Sequence, residues 1–321
     1  MASVVGLIVN PAAGRDIRRL VGLASVIPHH EKAAIVRRVL RGLEAAGVDS
    51  VVYLPDGVGI VAAAMDRMHA NVPLEPLPIW PQDRAADSTE AARLLTARGV
   101  GAIVTIGGDG TNRAVAAGCS HTPLVAISTG TNNVFPTMVE GTVAGLAAGL
   151  VATGAVAAGA VSHRSKRIAV RTGTVDDFAL VDAAACRDAF RGAAAVWDVG
   201  RVRAVVLTRA EPWAVGLSSV GGRIHPLGAD DPGGLYLELG GRSGRLVHAV
   251  LAPGLTAEVV VSEYRVLQPG EDVTFDVSGG TLALDGEREL LVHGQATASV
   301  TRSGPLVVDV RRALAAASAH D

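Results

Sequence analysis

Apolar positions follow two rhythms along this chain, and the change falls near its middle. Val4 to Val9 is an unbroken apolar run, the pattern of a strand buried on both faces. From about Glu31 to Ala46, Ile35, Val39, Leu40 and Leu43 recur at helical spacing, with Arg37, Arg38, Arg41 and Glu44 on the opposite side. That spacing predicts an amphipathic helix. Val51 to Leu54 reads as a second strand and Ile60 to Met68 as a second helix. Asp87 and Glu90 form an N-cap and capping-box pair for a helix ending near Gly99. Ala102 to Ile106 and Leu124 to Ile127 read as strands, with a helix starting over Asn112 to Ala117 between them. Strands joined through helices predict a Rossmann-like parallel sheet covered on both faces, whose ligands bind at the carboxyl ends of the strands.

Beyond Ser162 the runs shorten. Arg167 to Arg171, Phe178 to Ala184, Arg203 to Thr208, Leu235 to Leu239, Val247 to Leu251, Glu258 to Val266, Asp272 to Val277 and Thr281 to Leu284 are strand-like. Gly221-Gly222, Pro232-Gly233-Gly234, Gly240-Gly241, Pro269-Gly270 and Gly279-Gly280 punctuate them, and Asp176-Asp177 reads as a hairpin turn. The expected fold is α/β: an N-terminal parallel-sheet domain over residues 1–161 and a C-terminal antiparallel β-sandwich over 162–304. Residues 305–321, a strand running into a helix, are expected to return to the first domain.

Composition narrows the partners. The 321 residues carry 29 Lys plus Arg against 31 Asp plus Glu, so no polycationic surface points to nucleic acid or anionic lipid. Only Lys32 and Lys166 are lysines, a bias that reads as genomic base composition. Neither stands in a Walker-type phosphate loop, so a phosphate must be held by backbone N–H groups, arginines, hydroxyls or a metal. Cys119 and Cys186 are too few for a disulfide framework or a zinc site, and a reducing, cytoplasmic setting is expected. Met1 to Asn10 lacks the basic lead and cleavage pattern of a signal peptide. The uncharged stretch Gly141 to Val161 is long enough for a bilayer, and Gly141, Gly145 and Gly149 keep Gly-x-x-x-Gly spacing. Its Ala, Gly, Val and Thr content instead predicts a soluble helix and a small-residue loop.

Chemistry concentrates at three strand ends. Thr105-Ile106-Gly107-Gly108-Asp109-Gly110-Thr111-Asn112 leaves a buried strand and enters a helix. Its glycines admit close approach of a ligand, and the helix start offers N–H groups suited to phosphate. Asp109 is a candidate general base for a hydroxyl or ligand for magnesium, and equally a helix cap. Ser128-Thr129-Gly130-Thr131-Asn132-Asn133 and Asn10-Pro11-Ala12-Ala13-Gly14 add two polar loops to the same rim.

In this order the three motifs resemble the superfamily that joins ATP-dependent NAD kinases with diacylglycerol and sphingosine kinases. The likeness is closest to the NAD kinase branch and, within it, to the acetoin-catabolism protein X group. Gly6-Leu7-Ile8-Val9-Asn10-Pro11-Ala12-Ala13-Gly14 through Arg19, Tyr53-Leu54-Pro55-Asp56 and Leu284-Asp285-Gly286-Glu287 carry it. The resemblance implies an ATP-dependent phosphotransferase, with ATP or polyphosphate as donor and the ribose hydroxyl of NAD as acceptor. Asn10, Gly14, Gly107, Gly108, Gly110 and Thr111 would hold the donor phosphates, with Asp109 as base and possible Mg2+ ligand. Thr131, Asn132, Asn133, Asp182, Asp285, Gly286 and Glu287 would contact NAD or nucleotide. It also implies a homo-oligomer with small-molecule nucleotides as partners.

The departures lie on the acceptor side. Where NAD kinases carry an Asn before an acid, this chain reads Val181-Asp182, and Gly216-Leu217-Ser218-Ser219 only loosely echoes the usual Gly-Ser-Thr-Ala string. Residues 15–34 and 55–85 look like insertions. A lipid kinase and a non-catalytic nucleotide-binding accessory of acetoin catabolism therefore stand as alternatives. Three further features read as bland surface: the His29-His30 pair, the stretch His163 to Arg167 as a solvated linker, and the scattered Trp80, Trp197 and Trp213.

Overall fold

The computed structural model describes residues 2–13, 23, 27–66, 68, 71–130, 132–173, 176–187, 199–286, 288–292 and 294–318. Its first half alternates strand and helix: β1 (Val4–Val9), α1 (His29–Ala45), β2 (Ser50–Tyr53), α2 (Ile60–Met65), β3 (Leu74–Pro76), α3 (Ala85–Ala97), β4 (Ala102–Gly107), α4 (Asp109–Ala116), β5 (Leu124–Ser128), α5 (Gly141–Thr153) and α6 (Ala158–Val161). After β6 (Ser162–Arg164) come β7 (Arg167–Thr172), β8 (Asp176–Ala179), β9 (Asp182–Cys186), β10 (Val202–Leu207), α7 (Leu217–Ile224), β11 (Gly234–Leu239), β12 (Arg245–Ala252) and β13 (Leu255–Leu267). The chain closes with β14 (Asp272–Asp276), β15 (Thr281–Leu284), β16 (Arg288–Leu291), β17 (Gln295–Thr301), β18 (Leu306–Val308) and α8 (Val310–Ala317).

The first sheet runs β3-β2-β1-β4-β5-β18-β6, parallel through β18 and antiparallel only at β6. Val5, Leu7 and Val9 face a core shared with α1 and α5, while Ile8 and Val52 face a second core against α3. Burial on both faces is why these strands read as continuous apolar runs. β18 lies beside β5, Val307 opposite Leu124, and α8 packs its Ala313 into the first core. The glycine stripe of α5 is a helix crossing rather than a membrane motif. A Cβ on Gly145 would strike the Val39 carbonyl of α1, and one on Gly141 would meet Arg38 Cβ at 2.9 Å. Among the described residues, no helix is long and apolar enough to cross a membrane.

The second half holds two antiparallel sheets, β12-β13-β11-β10-β9-β15-β16 and β14-β17-β7-β8. Ile168 and Val170 of one sheet meet Ala183, Val206 and Leu282 of the other in the sandwich core. The outer face of the larger sheet is covered by α7, through Leu217, Val220 and Ile224.

Several local expectations need correction. The helix after β4 starts at Asp109 rather than Asn112, with Gly108 extended at its N-cap, so the Asp-Gly-Thr residues are its first turn. α3 starts at Ala85; Asp87 lies inside it and accepts from the N–H of Gln82 and Arg84, while Glu90 pairs with Arg93. α2 stops at Met65. The run Phe178 to Ala184 breaks into β8 and β9 on different sheets, because Asp285 takes the N–H groups of Leu180 and Val181 out of any ladder. Asp176 and Asp177 belong to β8, not to a turn, and Gly221-Gly222 lies within α7. His163 to Arg167 is no solvated linker: Ser165 and Lys166 are buried, and Lys166 Nζ donates to the Gly228 carbonyl at 2.8 Å. His29 and His30 open α1, and Trp80 and Trp213 are exposed and far apart in sequence, while Trp197 lies outside the described residues.

Candidate functional site

Two cavities flank the first turn of α4, one on each side. The turn itself is fixed from below by Asn112, fully buried, whose amide donates to the Gly108 carbonyl at 2.8 Å while its oxygen accepts from Thr105 Oγ1 at 2.7 Å. A Cβ on Gly107 would lie 2.6 Å from the Thr111 side chain, and one on Gly108 would lie 2.8 Å from Asn133 Oδ1. Gly107 is thus packed against the α4 turn and Gly108 against the Asn133 side chain, and both are buried.

On the sandwich side, Asp109, Asn132, Val181, Asp182, Gly216, Ser218, Asp285 and Gly286 line a cavity of about 30 Å3 between the two halves of the molecule. Asp109 is 8% exposed. Its carboxylate accepts from Val134 N at 3.1 Å and Phe135 N at 2.8 Å, which preorganises the charge at this edge. Arg209 of the sandwich donates to the Val134 carbonyl at 2.8 Å, and its guanidinium lies 5.8 Å from the centre of the Phe135 ring. Burial lowers the Arg209 pKa, while Glu211 and Asp109 act in the opposite sense. Arg113 of α4 makes the reciprocal link, donating to the Phe178 carbonyl at 2.6 Å and to Asp177 at 3.0 Å. These two arginines bind each half to the other on either side of Asp109.

Asp285 is held differently from a ligand-gripping side chain. It sits in the left-handed region at φ 52, with Gly286 following at φ 66, and its side chain is fully buried. It accepts from Leu180 N at 2.9 Å and Val181 N at 2.7 Å. Burial, then the nearby Asp182 charge, push its carboxyl well above the usual range. The Val181 side chain, 2% exposed, belongs to the same apolar cluster as Ala126 and Phe135. Its position is therefore a packing position in this chain.

On the other side, Asn10, Pro11, Ala12, Leu54, Pro55, Asp56, Asp83, Arg84, Asp87, Ser88, Gly110 and Thr111 line a cavity of about 210 Å3. Asn10 Nδ2 donates to Thr111 Oγ1 at 2.7 Å, joining the first loop to the α4 turn. Lys32, fully buried on α1, donates from Nζ to the carbonyls of Asn10, Pro11 and Ala13 at 3.0, 2.8 and 2.8 Å. It is the pin of this loop, and neither motif nor spacing pointed to it.

The sequence-derived residues thus separate into two groups. Asp109, Asn132, Asp182, Asp285 and Gly286 share the inter-domain cavity, whereas Asn10, Gly110 and Thr111 share the rim cavity. Asn133 is tied to Ser128 Oγ at 2.8 Å and braces the loop between them. Gly14, Thr131 and Glu287 lie outside the described residues. Cys119 and Cys186 are free and buried, and burial pushes the Cys119 thiol up to about 11.

Residues 5–155 match the family model of the ATP-NAD kinase N-terminal domain, which sets the class of this half as NAD kinase-like. Residues 166–303 match the model of the acetoin catabolism protein X C-terminal domain. The chain is 39% identical over 304 residues to acetoin catabolism protein X of Cupriavidus necator, covering 90% of this chain and 85% of that one. It belongs to the acetoin catabolism protein X family. A crystal structure of an NAD kinase from Archaeoglobus fulgidus in complex with ATP aligns with 83% of this chain and 98% of its own, at 15% identity and a TM-score of 0.41.

Proposed function

We propose that this protein is an ATP-dependent phosphotransferase that moves the γ-phosphoryl group to a hydroxyl acceptor, the ribose of NAD, with Asp109 accepting the hydroxyl proton. One observation carries the reading: Asp109 stands in the first turn of α4, braced by two backbone N–H groups, between a cavity on the sandwich side and a cavity on the rim side. A hydroxyl becomes a competent nucleophile when a carboxylate takes its proton. Phosphoryl transfer otherwise needs alignment and charge neutralisation, which the N–H groups of the turn supply.

In this reading the donor phosphates lie over Asn10, Gly110 and Thr111, and the acceptor enters beside Asn132 and Asp182. Among the described residues, no group of three or more His, Cys, Asp or Glu side chains is placed to hold a metal. Magnesium bound with the donor would neutralise its phosphate oxygens, and Asp109 is the carboxylate of the α4 turn that could hold it.

Incubating the pure protein with ATP, magnesium and NAD is expected to yield NADP, and Asp109→Asn to lower the rate by at least about 100-fold. Absence of NADP with any divalent metal or donor would refute the reading. The inter-domain cavity of about 30 Å3, too small for a base or a nicotinamide ring, favours a second reading: a nucleotide-binding accessory protein without turnover. Calorimetric ATP binding without product formation is its signature.

A further inference from the structure

The motif Tyr53-Leu54-Pro55-Asp56 has no part in the chemistry above, yet its last three residues line the rim cavity. The two ends of that cavity differ in chemistry. The near end, Asn10, Gly110 and Thr111, offers an amide, backbone N–H groups and a hydroxyl, all suited to phosphate. At the far end, Leu54 and Pro55 give an apolar surface, and among the described lining residues Asp56, Asp83 and Asp87 set three carboxylates against the one cation of Arg84. A phosphate chain running the length of the cavity would meet net repulsion there. A sugar would not, because its hydroxyls donate to carboxylates.

Two observations place the sugar more closely. Asp56 is fixed before any ligand arrives: Oδ1 accepts from Val58 N at 3.1 Å and both oxygens accept from Ile60 N at 3.0 Å. These bonds leave acceptor capacity on Oδ2. Asp56 also lies just past the end of β2, beside β1, at the carboxyl edge where open α/β sheets bind their ligands. Ser88, the second observation, is 7% exposed and lines the cavity without a hydrogen-bond partner among the described residues. At the cavity wall that hydroxyl is within reach of a polar ligand.

We propose that Asp56 accepts hydrogen bonds from the ribose hydroxyls of the donor, with Ser88 as a second polar contact, so that this cavity selects a nucleoside polyphosphate over inorganic polyphosphate. The inference rests on the placement of donor phosphates over Asn10, Gly110 and Thr111 given above.

The test is calorimetric titration of the full chain, in magnesium, with ATP, 2′,3′-dideoxy-ATP and inorganic tripolyphosphate. Wild-type protein is expected to bind ATP at least about 10-fold more tightly than either of the others, since a hydrogen bond to a charged group is involved. Asp56→Asn should bring ATP and dideoxy-ATP within about twofold. Equal wild-type affinities for ATP and dideoxy-ATP, tight tripolyphosphate binding, or an ATP preference kept in Asp56→Asn each overturn the assignment. The wild-type comparison stands even if Asp56→Asn unfolds α2. Failure of any nucleotide to bind the wild type refutes the proposed function itself, whereas nucleotide binding indifferent to the ribose refutes only this inference.

Discussion

Replacing Lys32 with methionine isolates what a buried ammonium does for the first rim loop. Methionine keeps the length of the stem and removes the charge and its donors. Three carbonyls, those of Asn10, Pro11 and Ala13, then lose a donor each at sites bonded now at 2.8 to 3.0 Å. Bonds to a charged group contribute about 1.5 kcal/mol or more each, which sums to roughly 4 to 5 kcal/mol gross. Removing the ammonium also relieves its desolvation penalty, so the net destabilisation should be about 2 to 3 kcal/mol. The loss is local in origin. Asn10, released from Lys32, no longer holds Thr111 Oγ1 in place, so ATP affinity should fall at least about 10-fold with the stability. Urea unfolding and calorimetric titration measure the two effects. A stability change below about 0.5 kcal/mol with unchanged nucleotide affinity would refute the argument that Lys32 pins the loop.

Other substitutions test other parts of the argument. Gly145→Ala should be destabilising by about 1 to 3 kcal/mol, although alanine is the better helix former, because its Cβ would strike the Val39 carbonyl; Gly159→Ala, with open space around it, should change urea stability by less than about 0.5 kcal/mol. Lys166 is lowered to about 8 by burial and by the neighbouring Arg209 and Arg302 charges. The unfolded lysine keeps its proton to higher pH than the folded one, so stability should rise by about 3 kcal/mol between pH 8 and 10.5, and Lys166→Met should remove that rise in urea titrations. Arg113→Met should lower the thermal midpoint by several degrees, since it removes the donor to the Phe178 carbonyl and the cation beside Asp177, two links between the halves of the molecule.

Parallel-sheet periodicity was legible because strands buried on both faces leave continuous apolar runs, as at Val4–Val9 and Ala102–Gly107. The rim loops were legible because glycine and asparagine mark the strand exits. What escaped were interactions formed across long sequence separations. Asp285 splits a single apolar run into β8 and β9 from about a hundred positions away, by hydrogen bonds that no local window contains. Asp87 shows the same limit at short range: its side chain does bond backbone N–H groups, but from inside the helix. The lysines carried a usable signal that base composition obscured. Both are buried, and both donate to main-chain carbonyls. A compact three-donor ammonium fits converging carbonyls where a planar guanidinium does not, so an arginine-rich chain that keeps two lysines keeps them where that geometry is needed.

The return of β18 to the first sheet has a consequence for how the molecule is made. β18 lies between β5 and β6, with Val308 opposite Ser162 and Leu306 opposite Arg164. During synthesis β6 therefore has no neighbour in its sheet until residues 306–308 leave the ribosome, by which time the whole sandwich has been translated. The N-terminal domain would spend that interval with the flank of β5 open, an unpaired edge able to capture a strand from another chain. The last strand of the sheet to form is also the one that seals it.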